Sequence, residues 1–269
     1  MVTATDLITD RQIEAYERDG AVYLPGLFRE WVDTIIAGID RNMHEPGPYG
    51  ADNLEPGESG RFFDDYCNWN RIPEFTKVMR ESPAAQAAAA LMRSNTVQAF
   101  HEHVLVKEPG TAKPTPWHQD APYYFVDGDQ TLSFWIPVDP VDEASLRLIA
   151  GSHEWNKLVL PVRWLSGEDF YCADDTYLPI PDPDAEPEKY HALEWQMQPG
   201  DAIAFHFKTV HGARGNSAKT RRRAFSLRLL GDDARYITRP GPTSPPFPGH
   251  GMQDGQRLRE DWFPVVYQR

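Results

Sequence analysis

The sequence predicts a single mainly β domain, a sandwich or barrel of short strands flanked by α-helices. Three observations lead there. From Thr96 onward, runs of β-branched, aromatic and aliphatic residues recur between turn clusters, and short strands at such spacing build sandwiches or barrels. Helical signals are confined to residues 1–95. Finally, 269 residues with a hydrophobic content of 41% supply one full core, and sheet-based folds of that size are commonly single domains. With no internal repeat and no linker, the chain divides into a helical buttress over 1–95, a barrel core over 96–231 and a tail over 232–269.

Taken in order, Thr9-Asp10-Arg11-Gln12 is a capping box and Gly20 a C-cap, so Asp10 to Asp19 forms a helix. Ala21 to Leu24 is a strand closed by Pro25-Gly26. Val32, Ile35, Ile36 and Ile39 recur at helical spacing through Met43, which lays a second helix on a sheet. Residues 45–60, rich in Gly, Pro, Asn and Glu, form a surface loop. Arg61-Phe62-Phe63-Asp64-Asp65-Tyr66, followed by Trp69, Asn70 and Arg71, mixes rings with polar groups. Such a loop either packs over the core or walls a substrate pocket. Ser82 as N-cap, with Pro83 at the first helical position, opens an alanine-rich helix to about Arg93.

Strands then follow from Val97 to Lys107, through the His118 region after Pro114 and Pro116, from Leu132 to Val138, and from Leu146 to Ile149. Turn clusters at Glu108-Pro109-Gly110, Asp127-Gly128-Asp129 and Gly151-Ser152-His153 separate them. Between Leu160 and Tyr190 lies a long insertion, acidic and proline-rich from Pro179 to Pro187. Insertions of that length act as lids or binding loops when they are ordered. Pro199-Gly200-Asp201 turns into an apolar strand from Ala202 to Phe207, leading to His211. The last strong strand runs from Arg222 to Leu230, and the Pro- and Gly-rich tail from Gly231 belongs on the surface.

A net charge of −13 and a pI near 5.1 repel phosphate backbones and anionic lipid surfaces, so neither nucleic acid nor a membrane is an expected partner. The first twenty residues carry no basic start with an apolar core, and no apolar run approaches the ~20 residues that span a bilayer. The expected location is the cytoplasm. Cys67 and Cys172, the only cysteines, read as reduced thiols there.

The chemistry is concentrated in Trp117-His118-Gln119-Asp120. Because strand side chains alternate, His118 and Asp120 share one side of an extended chain and offer two metal ligands. Alone, the tripeptide reads as well as a strand-end histidine bonded to a carboxylate. A third donor from a distant strand, His211, would complete the two-His-one-carboxylate set that leaves open positions on a non-heme iron. Gly212 beside it permits close approach of backbone or ligand. In the last strand Arg222, Ala224, Ser226 and Arg228 share one face while Arg223, Phe225 and Leu227 share the other. Small residues at 224 and 226 leave room between two inward guanidinium groups, and arginine suits a carboxylate gripped by two parallel bonds.

Together, Lys107-Glu108-Pro109-Gly110, Trp117-His118-Gln119-Asp120, Trp135-Ile136-Pro137, Gly151-Ser152-His153, Pro199-Gly200-Asp201, His211-Gly212 and Arg222-Arg223-Ala224 resemble the phytanoyl-CoA dioxygenase family of Fe(II)- and 2-oxoglutarate-dependent oxygenases. The resemblance spans nearly the whole chain. It implies a double-stranded β-helix, a jelly roll or cupin-like barrel, with Fe(II), 2-oxoglutarate and O2. It assigns His118, Asp120 and His211 to the iron and Arg222 to the distal carboxylate of 2-oxoglutarate. By the same resemblance, Trp135 and His103 are expected to line the cosubstrate pocket. Family members often carry Glu-Asn-Gly where this chain has Asp142-Glu143-Ala144-Ser145; losing Asn-Gly changes the turn chemistry, and Ser145 is the candidate for the cosubstrate contact made there. Related halogenases have a small residue at the carboxylate position, so Asp120 implies hydroxylation.

For the substrate, Arg228 on the inward face with Tyr123 and Tyr124 near the metal ligands suits a small molecule bearing a carboxylate or other anion. The two tyrosines read equally as rim packing. A cupin-like isomerase or dioxygenase, which would not need Arg222, and a non-catalytic binding module are the competing readings. A zinc hydrolase is weaker, because His101-Glu102 is followed by His103 and not by a histidine at the i+4 helical spacing.

Overall fold

The computed structural model describes residues 7–54, 57–142, 146–164, 166–216 and 218–269. Among the described residues, the first third of the chain carries the helices α1 (Asp10–Asp19), α2 (Val32–His44), α3 (Pro73–Glu81) and α4 (Ala84–Leu91). The strands are β1 (Ala21–Leu24), β2 (Ala51–Asp52), β3 (Phe62–Tyr66), β4 (Thr96–Lys107), β5 (Thr115–His118), β6 (Val126–Asp127), β7 (Thr131–Pro137) and β8 (Leu146–Ile149). They continue as β9 (Leu158–Val159), β10 (Tyr177–Leu178), β11 (Ala192–Leu193), β12 (Ala202–Phe205), β13 (His211–Ala213), β14 (Arg222–Leu230), β15 (Arg235–Tyr236) and β16 (Val265–Gln268).

The large sheet runs β1-β12-β7-β14-β4-β3-β2, with β16 added on β4, and the small sheet runs β11-β8-β13-β5. Both are antiparallel and they face each other. Trp135, Ile203, Phe205 and Ala224 of the large sheet meet Leu146, Leu148 and Ala213 of the small one in a shared core. Strands alternating between two facing sheets in this way form a double-stranded β-helix, as the resemblance implied.

The outer face of the large sheet is apolar and would be stranded in water without the helices. Phe134, Ile136, Phe225 and Leu227 pack there against Ile35, Ile39, Phe75 and Val78, and the Phe75 and Phe225 ring centroids are 4.6 Å apart. Truncating one such ring to alanine costs about 3–5 kcal/mol. The strand parity read for β14 therefore holds: Phe225 and Leu227 turn to the helices, while buried Arg222, Ala224, Ser226 and Arg228 turn to the space between the sheets.

Local signals explain the connections. Thr9 and Gln12 close the capping box on α1, and Gly20 ends it at φ 71°. Gly200 is required in its turn: at φ +83°, a Cβ there would lie 2.6 Å from the Cα of Arg29. Asp201 ties that turn to β1, accepting from the Tyr23 hydroxyl (2.6 Å) and the Gly26 N–H (2.7 Å).

Three readings change. Residues 61–66, read as a loop, form β3, which pairs with β4. Its two adjacent carboxylates mask the strand pattern, yet each is satisfied inside. Asp65 accepts from the Asn42 side chain and the Gly47 N–H, and Asp64 from Asn53. Helix α3 escaped the sequence reading, although Pro73 in its first turn and buried Phe75, Val78 and Met79 at helical spacing carry the signal. The tail is not confined to the surface. Met252, Leu258 and Phe263 are buried in an aromatic cluster with Phe100 and Phe125, and β16 adds to the large sheet.

Candidate metal centre and cavity

At the mouth between the sheets, His118 and His211 face each other as register partners on β5 and β13. Their ring centroids are 4.2 Å apart. Gly212 lets these strands close, since a Cβ there would meet the Thr115 carbonyl at 3.1 Å; the close approach is to backbone. After His118 the alternation holds for two more residues. Gln119 points away and accepts from the Val159 N–H (2.7 Å), and Asp120 returns to the site before a 3-10 turn over Ala121–Tyr123. Asp120 Oδ1 lies 3.9 Å from both His118 Nε2 and His211 Nε2. The three ligand atoms lie within 4.8 Å of one another, and all three residues are buried.

Each imidazole is oriented from behind. The Nδ1 of His118 donates to the Pro116 carbonyl (2.8 Å) and that of His211 to the Thr209 carbonyl (2.9 Å), which leaves Nε2 as the lone-pair donor towards the centre. Burial, and then the neighbouring His211, push His118 down to about 3; burial also lowers His211. Both rings are therefore neutral, as a metal ligand must be. For Asp120, burial works against ionisation, but Arg228, His211 and His118 outweigh it and hold the carboxyl well below its usual range. Its Oδ2 accepts from Ser133 (2.9 Å) and lies 3.5 Å from Arg228 Nη2. Two neutral nitrogens and one carboxylate, converging and braced, fit a divalent transition metal with coordination positions to spare.

The Gly-Ser-His turn now has a physical role. Ser152 Oγ donates to the Ile149 carbonyl (2.6 Å) and accepts from the Val210 N–H (2.8 Å), fixing the residue next to His211.

Along the inward faces of β14 and β4, Arg222 pairs in register with Lys107, Ser226 with His103 and Arg228 with His101. Arg222 is buried with its guanidinium 5.9 Å from the Trp135 ring centroid, and burial lowers it to about 10. Lys107, also buried, is pushed down to about 6 by burial and then by Arg222. This end of the barrel gathers two basic groups away from water, and burial favours the neutral form of the lysine. His103 bonds Asp64 (2.8 Å). Ser145 lies outside the described residues.

A cavity of about 420 Å³ opens beside the centre, lined among others by His118, Asp120, Tyr123, Tyr124 and Arg228. Tyr124 accepts from Arg228 Nε (3.0 Å). Tyr123 also holds the start of the insertion: its hydroxyl donates to the Val162 carbonyl (2.7 Å) and accepts from the Val162 N–H (2.9 Å), which fixes Val162 at the cavity wall. Asp184 further along the insertion pairs with Arg147 (2.7 Å).

Several lining residues were not legible as such. Trp164 of the insertion stacks on His103 (6.0 Å) and stands edge-on to His118 (5.1 Å). Tyr49 and Tyr66 stack at 4.7 Å, and Ser244 comes from the tail. Two of the lining residues had a usable signal: Tyr66 belongs to the stretch read as core packing or a pocket wall, and His101 shares parity with His103. The ladder between β14 and β4 shifts register at Arg228/Leu229. That irregularity leaves Phe100 in the inner aromatic cluster beside His101.

Residues 16–224 match the family model described as Phytanoyl-CoA dioxygenase (PhyH). A probable phytanoyl-CoA dioxygenase of Caenorhabditis elegans is 27% identical over 189 residues, 66% of this chain and 54% of the relative. The peroxisomal phytanoyl-CoA dioxygenase of Rattus norvegicus is 26% identical over 53% of this chain and 42% of its own. The chain spans about half the length of the curated relatives it matches. Among solved structures, the non-heme alpha ketoglutarate dependent epimerase SnoN from nogalamycin biosynthesis has TM-score 0.74 at 21% identity, covering 96% of this chain and 98% of its own. The carbocyclase SnoK from the same biosynthesis has TM-score 0.73 at 21% identity, covering 98% of each chain. EctD from S. alaskensis with 2-oxoglutarate and 5-hydroxyectoine has TM-score 0.69 at 19% identity, covering 94% of this chain and 86% of its own. These likenesses establish the shared fold. Among the described residues no helix is long and apolar enough to cross a membrane.

Proposed function

Because this chain belongs to the phytanoyl-CoA dioxygenase family, we propose that it is an Fe(II)- and 2-oxoglutarate-dependent oxygenase that hydroxylates a small organic molecule bound in the cavity. The observation that carries the reading is the convergence of buried His118, Asp120 and His211 within 4.8 Å. His118 and His211 would hold iron through Nε2 and Asp120 through Oδ1. When bound, iron with 2-oxoglutarate and O2 supplies an oxidative decarboxylation to succinate and CO2 that is coupled to oxidation of the substrate. Arg222 would grip the distal carboxylate of 2-oxoglutarate with two parallel bonds, and Trp135, His103 and Ser145 would wall that cosubstrate.

The chain's own contribution is positioning and exclusion of water. Pro116 and Thr209 carbonyls aim the two imidazoles, Ser133 and Arg228 occupy Asp120 Oδ2 and leave Oδ1 to the metal, and Trp164 covers His118. Sparse, unbridged cysteines support a reducing compartment, and we assign the chain to the cytoplasm.

Anaerobic addition of Fe(II) and 2-oxoglutarate is expected to produce a visible charge-transfer band, and aerobic conversion of a substrate to give a product heavier by one oxygen. No band removes the cosubstrate assignment and favours a cupin-type enzyme or a binding module. A band with a product of unchanged mass removes hydroxylation and points to a rearrangement. The brace on His211 gives a second expectation: Ser152→Ala weakens Mn(II) binding, measured without 2-oxoglutarate, by about tenfold. An unchanged affinity discards that brace.

A further inference from the structure

The deep wall of the cavity holds a pair of polar atoms that the oxygenase reading does not use. His101 and Arg228 are direct register partners on β4 and β14, both line the cavity, and they are only 2% and 4% exposed. His101 Nδ1 donates to the Glu102 carbonyl (3.1 Å), so its Nε2 carries a lone pair. Neither that Nε2 nor Arg228 Nη1 has a hydrogen-bond partner among the described residues. Buried polar atoms are seldom left so. One is an acceptor and the other a donor, on residues directly opposite each other across two strands.

Strand parity alone pointed Arg228 at an anionic substrate. The neighbourhood argues otherwise. Its charge already faces Asp120 Oδ2 (3.5 Å), and its Nε donates to Tyr124 (3.0 Å). A carboxylate offers only lone pairs, and would set an oxygen against the His101 lone pair while serving Nη1. Protonating His101 to welcome an anion is opposed by its burial first and by Arg228 second. A group that accepts from Arg228 and donates to His101 satisfies both atoms at once, as a neutral hydroxyl or carboxamide does and a carboxylate does not. The rings of Tyr124 (5.2 Å), Phe100 (4.8 Å) and Tyr66 (6.2 Å) surround the imidazole and limit its freedom to turn.

We propose that His101 Nε2 and Arg228 Nη1 form a donor–acceptor clamp for a neutral hydroxyl or carboxamide group of the substrate. The aromatic walls contributed by Tyr49, Tyr66, Tyr123, Trp164 and Phe170 take its ring-bearing apolar body. The inference rests on the reading of this cavity as the substrate chamber.

Benzyl alcohol, benzamide and benzoate share one ring and differ only in the group offered, so they test the clamp directly. Their binding to the full chain is measured by ligand-observed NMR, with and without Mn(II) and 2-oxoglutarate. The alcohol and the amide are expected to bind in the millimolar range, each about tenfold more tightly than benzoate, and the stronger of the two identifies the group. His101→Phe, which keeps a ring and removes the acceptor, is expected to erase that preference while leaving benzoate unchanged. Benzoate binding best, none of the three binding, or a preference that survives in a folded His101→Phe protein would overturn the clamp. If Mn(II) and 2-oxoglutarate fail to bind while the ranking holds on the chain alone, the oxygenase reading falls and the clamp stands.

Discussion

Asp120→Ala is expected to abolish 2-oxoglutarate turnover, by about a thousandfold or more, the equivalent of some 4 kcal/mol of lost stabilisation at the metal. The carboxylate is the one anionic donor in the triad, and its Oδ1 sits 3.9 Å from each imidazole nitrogen. Without it, two neutral nitrogens remain to hold a divalent cation. The variant also carries a folding cost, because Arg228 keeps its buried charge and loses its nearest anion; breaking a buried pair costs about 3–5 kcal/mol. Asp120→Asn separates the two effects. It keeps an oxygen towards Ser133 and Arg228 and so retains most of the stability, yet it removes the ligand charge. Succinate release, Mn(II) titration and thermal unfolding measured on both variants distinguish the outcomes. Metal-dependent turnover of 2-oxoglutarate that persists in Asp120→Asn and Asp120→Ala would sink the metal assignment.

Arg222→Ala is expected to raise the KM for 2-oxoglutarate about a hundredfold while leaving Mn(II) affinity, measured in its absence, within about twofold. Two charge-assisted bonds from a buried guanidinium are worth about 3 kcal/mol together. Arg222 is 4% exposed and its pKa is pushed down to about 10 by burial, so an anion delivered beside it is stabilised far more than one in water. Lys107, held at about 6 by the same burial and by Arg222 itself, should regain its proton when that anion arrives. Arg222→Lys keeps a charge but loses the planar fork, and an intermediate loss of about tenfold is expected. Equal loss of metal and cosubstrate binding in Arg222→Ala would mean that the arginine holds the barrel together and does not select the ligand.

Much of the centre was legible locally. The alternation of a strand put His118 and Asp120 on one side, and the same rule put Arg222 and Arg228 in one interior. Its limits were equally local. Phe62 to Tyr66 does not alternate, because Asp64 and Asp65 are both buried against partners thirty-nine or fewer residues away in sequence, and no window over β3 alone contains Asn42 or His103. Trp164 sits in an insertion without periodicity, so nothing nearby marks it as the ring that will stand over His118. The tail read as surface because its Pro and Gly content hides Met252, Leu258 and Phe263.

The resemblance to a family assigned His211 as the third donor; by itself, the sequence determined the alternation of strands, the capping of the first helix, the shared side of His118 and Asp120 and the inward parity of β14. These follow from backbone periods of about 2 and 3.6 residues, which a linear chain displays without folding. Only the tertiary structure decided what those residues meet. It set Arg228 against Asp120 and Tyr124, opposed it to His101, tied Tyr123 to the insertion, and brought residues from β3, the insertion and the tail to one cavity. Contacts between distant segments are specified by how two sheets and their covering loops pack together, and no local period records that.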